Sequence, residues 1–204
     1  MNNLNEKEIL DIFKDIFNYK AIDSASIPDI DLYMDQVTTF IESKLNCLKR
    51  NDEDKMLTKT MINNYTKEGI LFPSSLKKYT KDHIKMLVMI YYLKQVLSIN
   101  DIKSLLKPIS DKIKDKDKDN KSIQQKPGDT MKELYEVFIY MEDYERQNFN
   151  TALKDTIMKI ENLKNDSEQQ STIFHMILDL VLQAQIRKMA AEKLIDKFFT
   201  HIND

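Results

Sequence analysis

Glycine and proline are scarce in this chain, and that scarcity limits the folds open to it. Its 204 residues include two glycines and four prolines, whereas the tight turns of a many-stranded sheet depend on these residue types. Apolar residues meanwhile recur at three- and four-residue spacing through several stretches, which is typical of amphipathic helices. We therefore predict an all-α fold with a small β-hairpin.

Composition and apolar pattern divide the chain into segments. The stretch 107–128 contains almost no apolar residue and ends in Pro127-Gly128, which is typical of a charged linker. Four segments are predicted: an N-terminal amphipathic helix (1–24), a compact domain (25–106), this linker (107–128) and a C-terminal helical module (129–204).

The terminal segments need partner surfaces. A helix over residues 5–20 would place Ile9, Phe13 and Ile16 on one stripe. The C-terminal module shows two helical patterns, the first with a break near residue 145 and the second over 169–199. Because the second is apolar over a wide surface, we expect a bundle completed by the N-terminal helix or by self-association. A homodimer formed outside residues 27–106 is the prediction.

Charge is segregated along the chain although the net charge is only −2. Residues 57–106 contain eight lysines and three acidic residues, whereas segments 1–56 and 129–204 each carry a net charge of −5. A basic middle favours a polyanionic partner, and its alternative is a solvated lysine-rich surface.

The cellular compartment is predicted from the lone Cys47 and from hydropathy. A single cysteine cannot form an intramolecular disulfide and suits a reducing compartment. The most apolar run, residues 86–93, is too short to cross a bilayer. A cytoplasmic protein with no membrane partner is expected.

Residues 57–68, LTKTMINNYTKE, form the clearest candidate for a binding helix. On a helical wheel, Leu57, Met61, Ile62 and Tyr65 share one side, whereas the opposite side carries Lys59, Thr60, Asn63, Thr66 and Lys67. Thr58 or Thr60 can cap its start. Gly69 can end it in the left-handed conformation.

A short hairpin is predicted directly after this helix. Ile70–Pro73 and Lys77–Tyr79 would be its strands, with Lys77 and Lys78 near the tip. Thr80 then caps a new helix without a full capping box, because its third following residue is His83 rather than Glu or Gln. We expect His83 to lie at the surface.

The stretches TKTMINNYTKEGILFP and KKYTKDHIKMLVMIYYLKQVLSINDIKSLL resemble the DNA-binding domain of the MerR family. The upstream IPDIDLYMDQVTTFIESKL is similar to the opening of an uncharacterised bacterial family with a MerR-like domain. Together the resemblance covers residues 27–106, about 40% of the chain. Positions that match the family pattern are Ile62, Asn64, Tyr65, Gly69, Leu71, Pro73, Tyr79, Thr80, Asp82, Ile84, Ile90, Leu93, Ile99, Ile102 and Leu106.

The resemblance implies a winged helix-turn-helix that binds double-stranded DNA. The chain departs from the family in having Asn63 where Arg is usual and Lys77 and Lys78 in place of wing arginines. Asn can pair with adenine, and Lys can reach guanine or phosphate. The predicted DNA-binding residues are Thr58, Lys59, Thr60, Asn63, Asn64, Tyr65, Thr66, Lys67, Lys77, Lys78 and Tyr79.

The sequence does not favour an enzyme, a cofactor site or a metal site. His83, His175 and His201 are far apart, and the two glycines form no phosphate-binding loop. The alternating Asp115, Asp117 and Asp119 lack the glycine and the final glutamate of a calcium loop. The sequence leaves open whether the C-terminal module binds a small-molecule effector, and it assigns no residues to such a site.

The sequence is compatible with two functions. The first is a sequence-specific, DNA-binding transcriptional regulator that acts as a dimer. The alternative is a protein-interaction module that keeps the winged fold and turns its basic face to an acidic protein, without reading DNA.

Overall fold

A computed structural model describes residues 6–51, 53–118, 127–162 and 169–200. The chain is mostly helical with one small antiparallel sheet, which confirms the predicted class. The helices are α1 Glu6–Ile12, α2 Lys14–Asn18, α3 Met34–Leu45, α4 Lys59–Lys67, α5 Lys81–Leu93, α6 Ile99–Lys118, α7 Pro127–Asn162 and α8 Gln169–Phe198. The strands are β1 Leu32–Tyr33 and β2 Lys78–Tyr79.

The chain forms two compact units. The larger unit comprises residues 22–139 with 192–204, and the smaller unit comprises residues 1–21 with 140–191. Helix α5 is the centre of the larger unit, since every residue from His83 to Tyr91 is buried. A helix that is apolar on nearly all sides must be enclosed by its neighbours. Those neighbours include α3, which buries Val37, Ile41 and Leu45 at four-residue spacing.

The small sheet is present, but its pairing differs from the predicted hairpin. Residues Ile70–Pro73 form no strand, and β2 pairs instead with β1, with Leu32 opposite Tyr79 and Tyr33 opposite Lys78. Ile70, Leu71 and Phe72 are all buried. A segment that inserts consecutive side chains into the core cannot alternate between two faces as a half-exposed strand does. The local turn from Ser75 to Lys78 is retained as an isolated bridge.

Helix α6 corrects the predicted linker. It continues to Lys118, so the first half of the stretch 107–128 is helical, and α7 begins at Pro127. The reason is a buried stripe at Ile102, Leu106, Ser110 and Ile113, whose spacing of three to four residues keeps one helix face in the core. Residues 119–126, with Asp119 among them, lie outside the described part of the chain.

The smaller unit contains the partner that the N-terminal segment was expected to need. Ile9 is buried in a cluster with Leu153, Ile157 and Met176. The predicted single helix is divided into α1 and α2 at Phe13, and Ile16 is half exposed rather than part of the stripe. Leu10, Phe13 and Phe17 pack on the cluster instead.

The two C-terminal helices are close to their predicted bounds. Helix α7 runs through residue 145 without the expected break, and α8 spans Gln169–Phe198. The α7–α8 contact includes a hydrogen bond of 2.9 Å that the Thr156 hydroxyl donates to the Asp179 carboxylate. Within the described ranges, no helix combines the length and hydropathy needed to span a bilayer.

Candidate nucleic-acid interface

Helix α4 presents a polar stripe to solvent, as the wheel predicted. Lys59, Thr60, Asn63, Asn64 and Lys67 are exposed, whereas the opposite side of the helix is buried through Ile62 and Tyr65. We call the exposed set the α4 stripe. It offers two cations, two amides and a hydroxyl along about two helical turns.

Both ends of α4 are fixed by local hydrogen bonds. The Thr58 hydroxyl accepts from the Met61 backbone N–H at 3.2 Å, so Thr58 rather than Thr60 is the cap. Gly69 adopts φ +74°, and the Ile70 N–H donates to the Tyr65 carbonyl at 2.9 Å. This Schellman arrangement ends the helix and explains the need for glycine. The stripe is therefore displayed on a short helix with defined ends.

Four of the predicted contact residues have structural roles instead. Tyr65 and Tyr79 are buried, at 7% and 5% exposure, and burial raises the pKa of Tyr65. The Thr66 hydroxyl donates to the Ile62 carbonyl at 3.1 Å, and the Thr58 hydroxyl holds the cap. These side chains support α4 and the sheet, so the surface available to a ligand is smaller than the sequence predicted.

The other two predicted contact residues lie in the turn before β2. Lys77 is exposed and has φ +63°, next to Leu76 with φ +50°. Lys78 is half-buried, and its Nζ lies 5.6 Å from the centre of the Tyr33 ring. Lys77 is therefore the cation that projects from the turn, whereas Lys78 also packs against the sheet.

The residues 33–35 join the α4 stripe to the turn. Lys59 at the start of α4 forms an ion pair with Asp35 in the first turn of α3. Two residues earlier, Tyr33 pairs with Lys78 of β2. Lysines from two separate elements therefore meet at one short segment, although they are 19 residues apart in the sequence. Asp35 also places a carboxylate beside the stripe, which the sequence pattern of α4 alone does not predict.

His83 anchors the segment that leads to the turn, and its predicted surface position is wrong. It is 3% exposed and packs against Phe72 and Tyr79, with ring centres 3.9 and 5.4 Å away. Its Nδ1 accepts from the Thr80 backbone N–H at 3.1 Å, while Nε2 lies 3.3 Å from the Pro73 carbonyl. Those bonds require the neutral ring with hydrogen on Nε2.

This geometry completes a capping box at the start of α5, in which His83 takes the place of Glu or Gln. Burial lowers the pKa of His83 to about 4, against weaker opposing effects of the Pro73 carbonyl and Asp82. The ring is therefore neutral at physiological pH and serves as an uncharged clamp between Thr80 and Pro73.

A cleft of about 190 Å³ beside the loop after α3 offers a second group of lysines. Lys49 is paired with Glu42 at 2.8 Å, and the Lys94 ammonium donates to the carbonyls of Lys55 and Met56. Burial lowers the pKa of Lys94. These cations hold the loop, which makes the cleft a poorer anion site than the α4 stripe.

No group of His, Cys, Asp and Glu side chains suited to hold a metal occurs within the described ranges. Of the histidines in those ranges, His83 is the clamp just described and His175 is exposed on α8. Cys47 is exposed.

A comparison with family models matches residues 22–138 to a family described as a domain of unknown function, DUF1836. The match covers more than half of the chain and nearly all of the larger unit's first segment, including α3 to α6 and both strands. No curated protein and no solved structure matches the chain significantly.

Proposed function

The chain belongs to the DUF1836 family, and for this member we propose sequence-specific binding of double-stranded DNA by a dimer, in transcriptional regulation. In this proposal the region 27–106 acts as a MerR-like winged helix-turn-helix. Helix α4 enters the major groove, and the turn before β2 is the tip of the wing. The observation that carries the proposal is the junction at residues 33–35, where Lys59 of the α4 stripe and Lys78 of the wing converge.

The chemistry of the α4 stripe supports recognition of base edges and phosphates. Asn63 lies one turn from both Lys59 and Lys67, so an amide is flanked by two cations on the exposed side. An amide can pair with adenine N6 and N7, and lysine can bind guanine or phosphate. A face that bound an acidic protein through charge alone would not use that central amide.

The wing supports the proposal through charge and rigidity. Lys77 is exposed at its tip, and the sheet pairing and the His83 clamp fix the segments on both sides. A rigid cationic projection beside a recognition helix can contact the phosphate backbone while the helix reads the adjacent groove.

The apolar face of α8 supports a dimer. Phe174, Leu178, Val181, Leu182 and Met189 are between 42% and 62% exposed. On a helical wheel they lie opposite Met176, which is buried against α7. Contiguous apolar side chains exposed on one face of a helix mark an interaction site.

A second copy is the partner that this face fits best. If two α8 helices pack antiparallel about a two-fold axis between Val181 and Leu182, Phe174 faces Met189 and Val181 faces Leu182. Leu178 then faces Gln185. Every contact is thus apolar or uncharged, as a self-complementary two-fold interface requires. Two winged domains paired in this way would read two half-sites.

DNA recognition is tested in two steps. The full chain first selects duplexes from a random pool, and its binding to a selected duplex is then titrated in increasing salt. Lys59→Ala and Lys67→Ala should each lower the salt slope by about one unit, since each removes a phosphate contact. Asn63→Ala should change base preference by about 1–3 kcal/mol at one position.

Lys132→Ala is the matched control for these substitutions, because Lys132 is exposed in the larger unit and pairs with Glu136 one turn further along α7. It should bind DNA like the parent. If the full chain selects no duplex, or if all three stripe variants retain parental binding, the proposal is wrong. If the chain selects no duplex but binds an acidic protein in a salt-sensitive way, the alternative function of a protein-interaction module is favoured.

Asp35→Asn should change the affinity for DNA in the direction opposite to that of Lys59→Ala. The Asp35 carboxylate competes with phosphate for Lys59, so its neutralisation should strengthen DNA binding. Both side chains are more than half exposed, and exposed ion pairs contribute up to about 1 kcal/mol. We expect a gain of about two- to fivefold in affinity at low salt, measured by fluorescence anisotropy. A weaker complex would contradict a role for Lys59 in contacting DNA.

A further inference from the structure

The tip of the wing combines backbone strain with an apolar side chain that folding does not use. Leu76 and Lys77 both have positive φ, and the Lys78 N–H donates to the Ser75 carbonyl at 2.8 Å. Two central residues with positive φ form the pattern of a type I′ turn, which ordinarily contains Asn-Gly or Gly-Gly. A branched side chain in that conformation costs roughly 1–2 kcal/mol.

Packing does not compensate for this cost at Leu76. Its side chain is 87% exposed, the largest value among the exposed large apolar side chains in the described part of the chain. Asparagine or glycine would fit the same turn with less strain and without exposing a leucine to water. A strained backbone position that also exposes an apolar group is a reason to look for a ligand.

The turn is held firmly enough to present that side chain in a fixed place. Its C-terminal end is β2, which pairs with β1 and buries Tyr79. Its N-terminal approach is held where the Pro73 carbonyl meets the buried His83 ring. Leu76 therefore projects from a braced turn rather than from a free loop.

The charges around Leu76 indicate which partner would receive it. Lys77 is exposed beside it, and Lys78 follows at the base of the turn. An apolar tip with adjacent cations is complementary to duplex DNA, where phosphates line the grooves and the apolar faces of the base pairs are stacked inside, accessible only where a base step opens. The cations would lie at the backbone while the leucine reaches between the bases.

We propose that Leu76 is a wedge that inserts from the minor groove between two base pairs and kinks the bound DNA. This inference rests on the proposed DNA-binding function and adds a deformation step to it. Insertion unstacks one base step, so the protein should prefer flexible pyrimidine–purine steps at the wing position. The bend would bring more of the duplex against Lys77 and the α4 stripe.

The test uses the full chain and a duplex that it selects, labelled with 2-aminopurine at successive positions and with a fluorophore pair at its ends. The parent protein should raise 2-aminopurine fluorescence at one step and bend the duplex by about 20–90°. Leu76→Asn should abolish both signals, because it keeps the turn but removes the apolar wedge. Leu76→Met, which keeps an apolar side chain of similar size, should retain them.

Thermal unfolding separates this effect from misfolding. Leu76→Asn should melt at or above the temperature of the parent, since asparagine tolerates the left-handed conformation. Equal bending and equal fluorescence in the parent and Leu76→Asn complexes would overturn the wedge while leaving DNA binding intact. A parent protein that binds no duplex would instead overturn the proposed function on which the wedge depends.

Discussion

Lowering the pH from 7 to 5 should cost the folded chain about 2 kcal/mol through one side chain, His83, whose folded pKa is about 4. In the unfolded chain the ring titrates near its ordinary value of 6.5. Between these two values the folded state binds fewer protons than the unfolded state. The contribution of the neutral ring to the free energy of unfolding is therefore complete above pH 6.5 and is lost as the pH falls towards 4. The full loss is about 3 kcal/mol.

His83→Gln is the variant that isolates this effect. A glutamine at this position keeps an acceptor for the Thr80 N–H, as in an ordinary capping box, but does not titrate. It should be less stable than the parent at pH 7, because it loses the ring contacts with Phe72 and Tyr79. The stability difference between the two proteins should then shrink by about 2 kcal/mol at pH 5.

Urea denaturation followed by circular dichroism, at pH 7, 6 and 5, provides the measurement. The comparison with His83→Gln subtracts the carboxyl groups whose pKa values are also shifted, among them Asp23, Asp29, Glu68 and Glu142. His83→Ala should be the least stable of the three at pH 7, since it loses both the cap and the ring. An unchanged difference between the parent and His83→Gln across this range would contradict a neutral, buried clamp.

The elements that local chemistry determines were predictable. Thr58 caps the start of α4 and Gly69 ends it. Both could be predicted because a hydroxyl cap and a left-handed glycine act within a few residues of their own position. The exposed α4 stripe follows from apolar spacing alone. The start of α6 is equally local, with the Ser98 and Asp101 side chains bonded to each other's backbone N–H groups.

The elements that depend on distant contacts were not predictable in this way. Tyr33 pairs with Lys78, and Lys59 pairs with Asp35, across 45 and 24 residues of sequence. Two-residue strands carry no alternation that could reveal such pairing. The burial of His83 had a weak signal, since it occupies the third position after Thr80, where an acceptor side chain completes a cap.

The composition of the stretch after Leu106 predicted a linker, and that prediction is wrong for residues 107–118, which continue α6. Its many charges hid a stripe in which Ser110 and Ile113 continue the buried face of α6. A single serine within that stripe lowers its mean hydropathy, yet the side chain is fully buried. Spacing was therefore the better guide to secondary structure than the balance of charges, as helix periodicity requires.

Because the apolar face of α8 is uncharged, we expect Val181→Glu to convert the dimer to a monomer. The two-fold axis would place both new carboxylates next to each other in an apolar interface. Burying unpaired like charges costs several kcal/mol, so the dimer dissociation constant should rise by at least about 10³-fold. Ala190→Glu is the control, since Ala190 is also exposed on α8 but faces away from the apolar surface.

Light scattering should give a mass near twice the 24.1 kDa of one chain for the parent and for Ala190→Glu, and the monomer mass for Val181→Glu. Cysteine cross-linking then tests the orientation of the helices. In a Cys47→Ser background, an equal mixture of Leu178→Cys and Gln185→Cys chains should form an interchain disulfide, whereas neither variant alone should. An antiparallel pair aligns position 178 with 185, but a parallel pair would align each position with itself. A monomeric parent would refute the dimer, and cross-linking of each variant alone would refute the antiparallel arrangement.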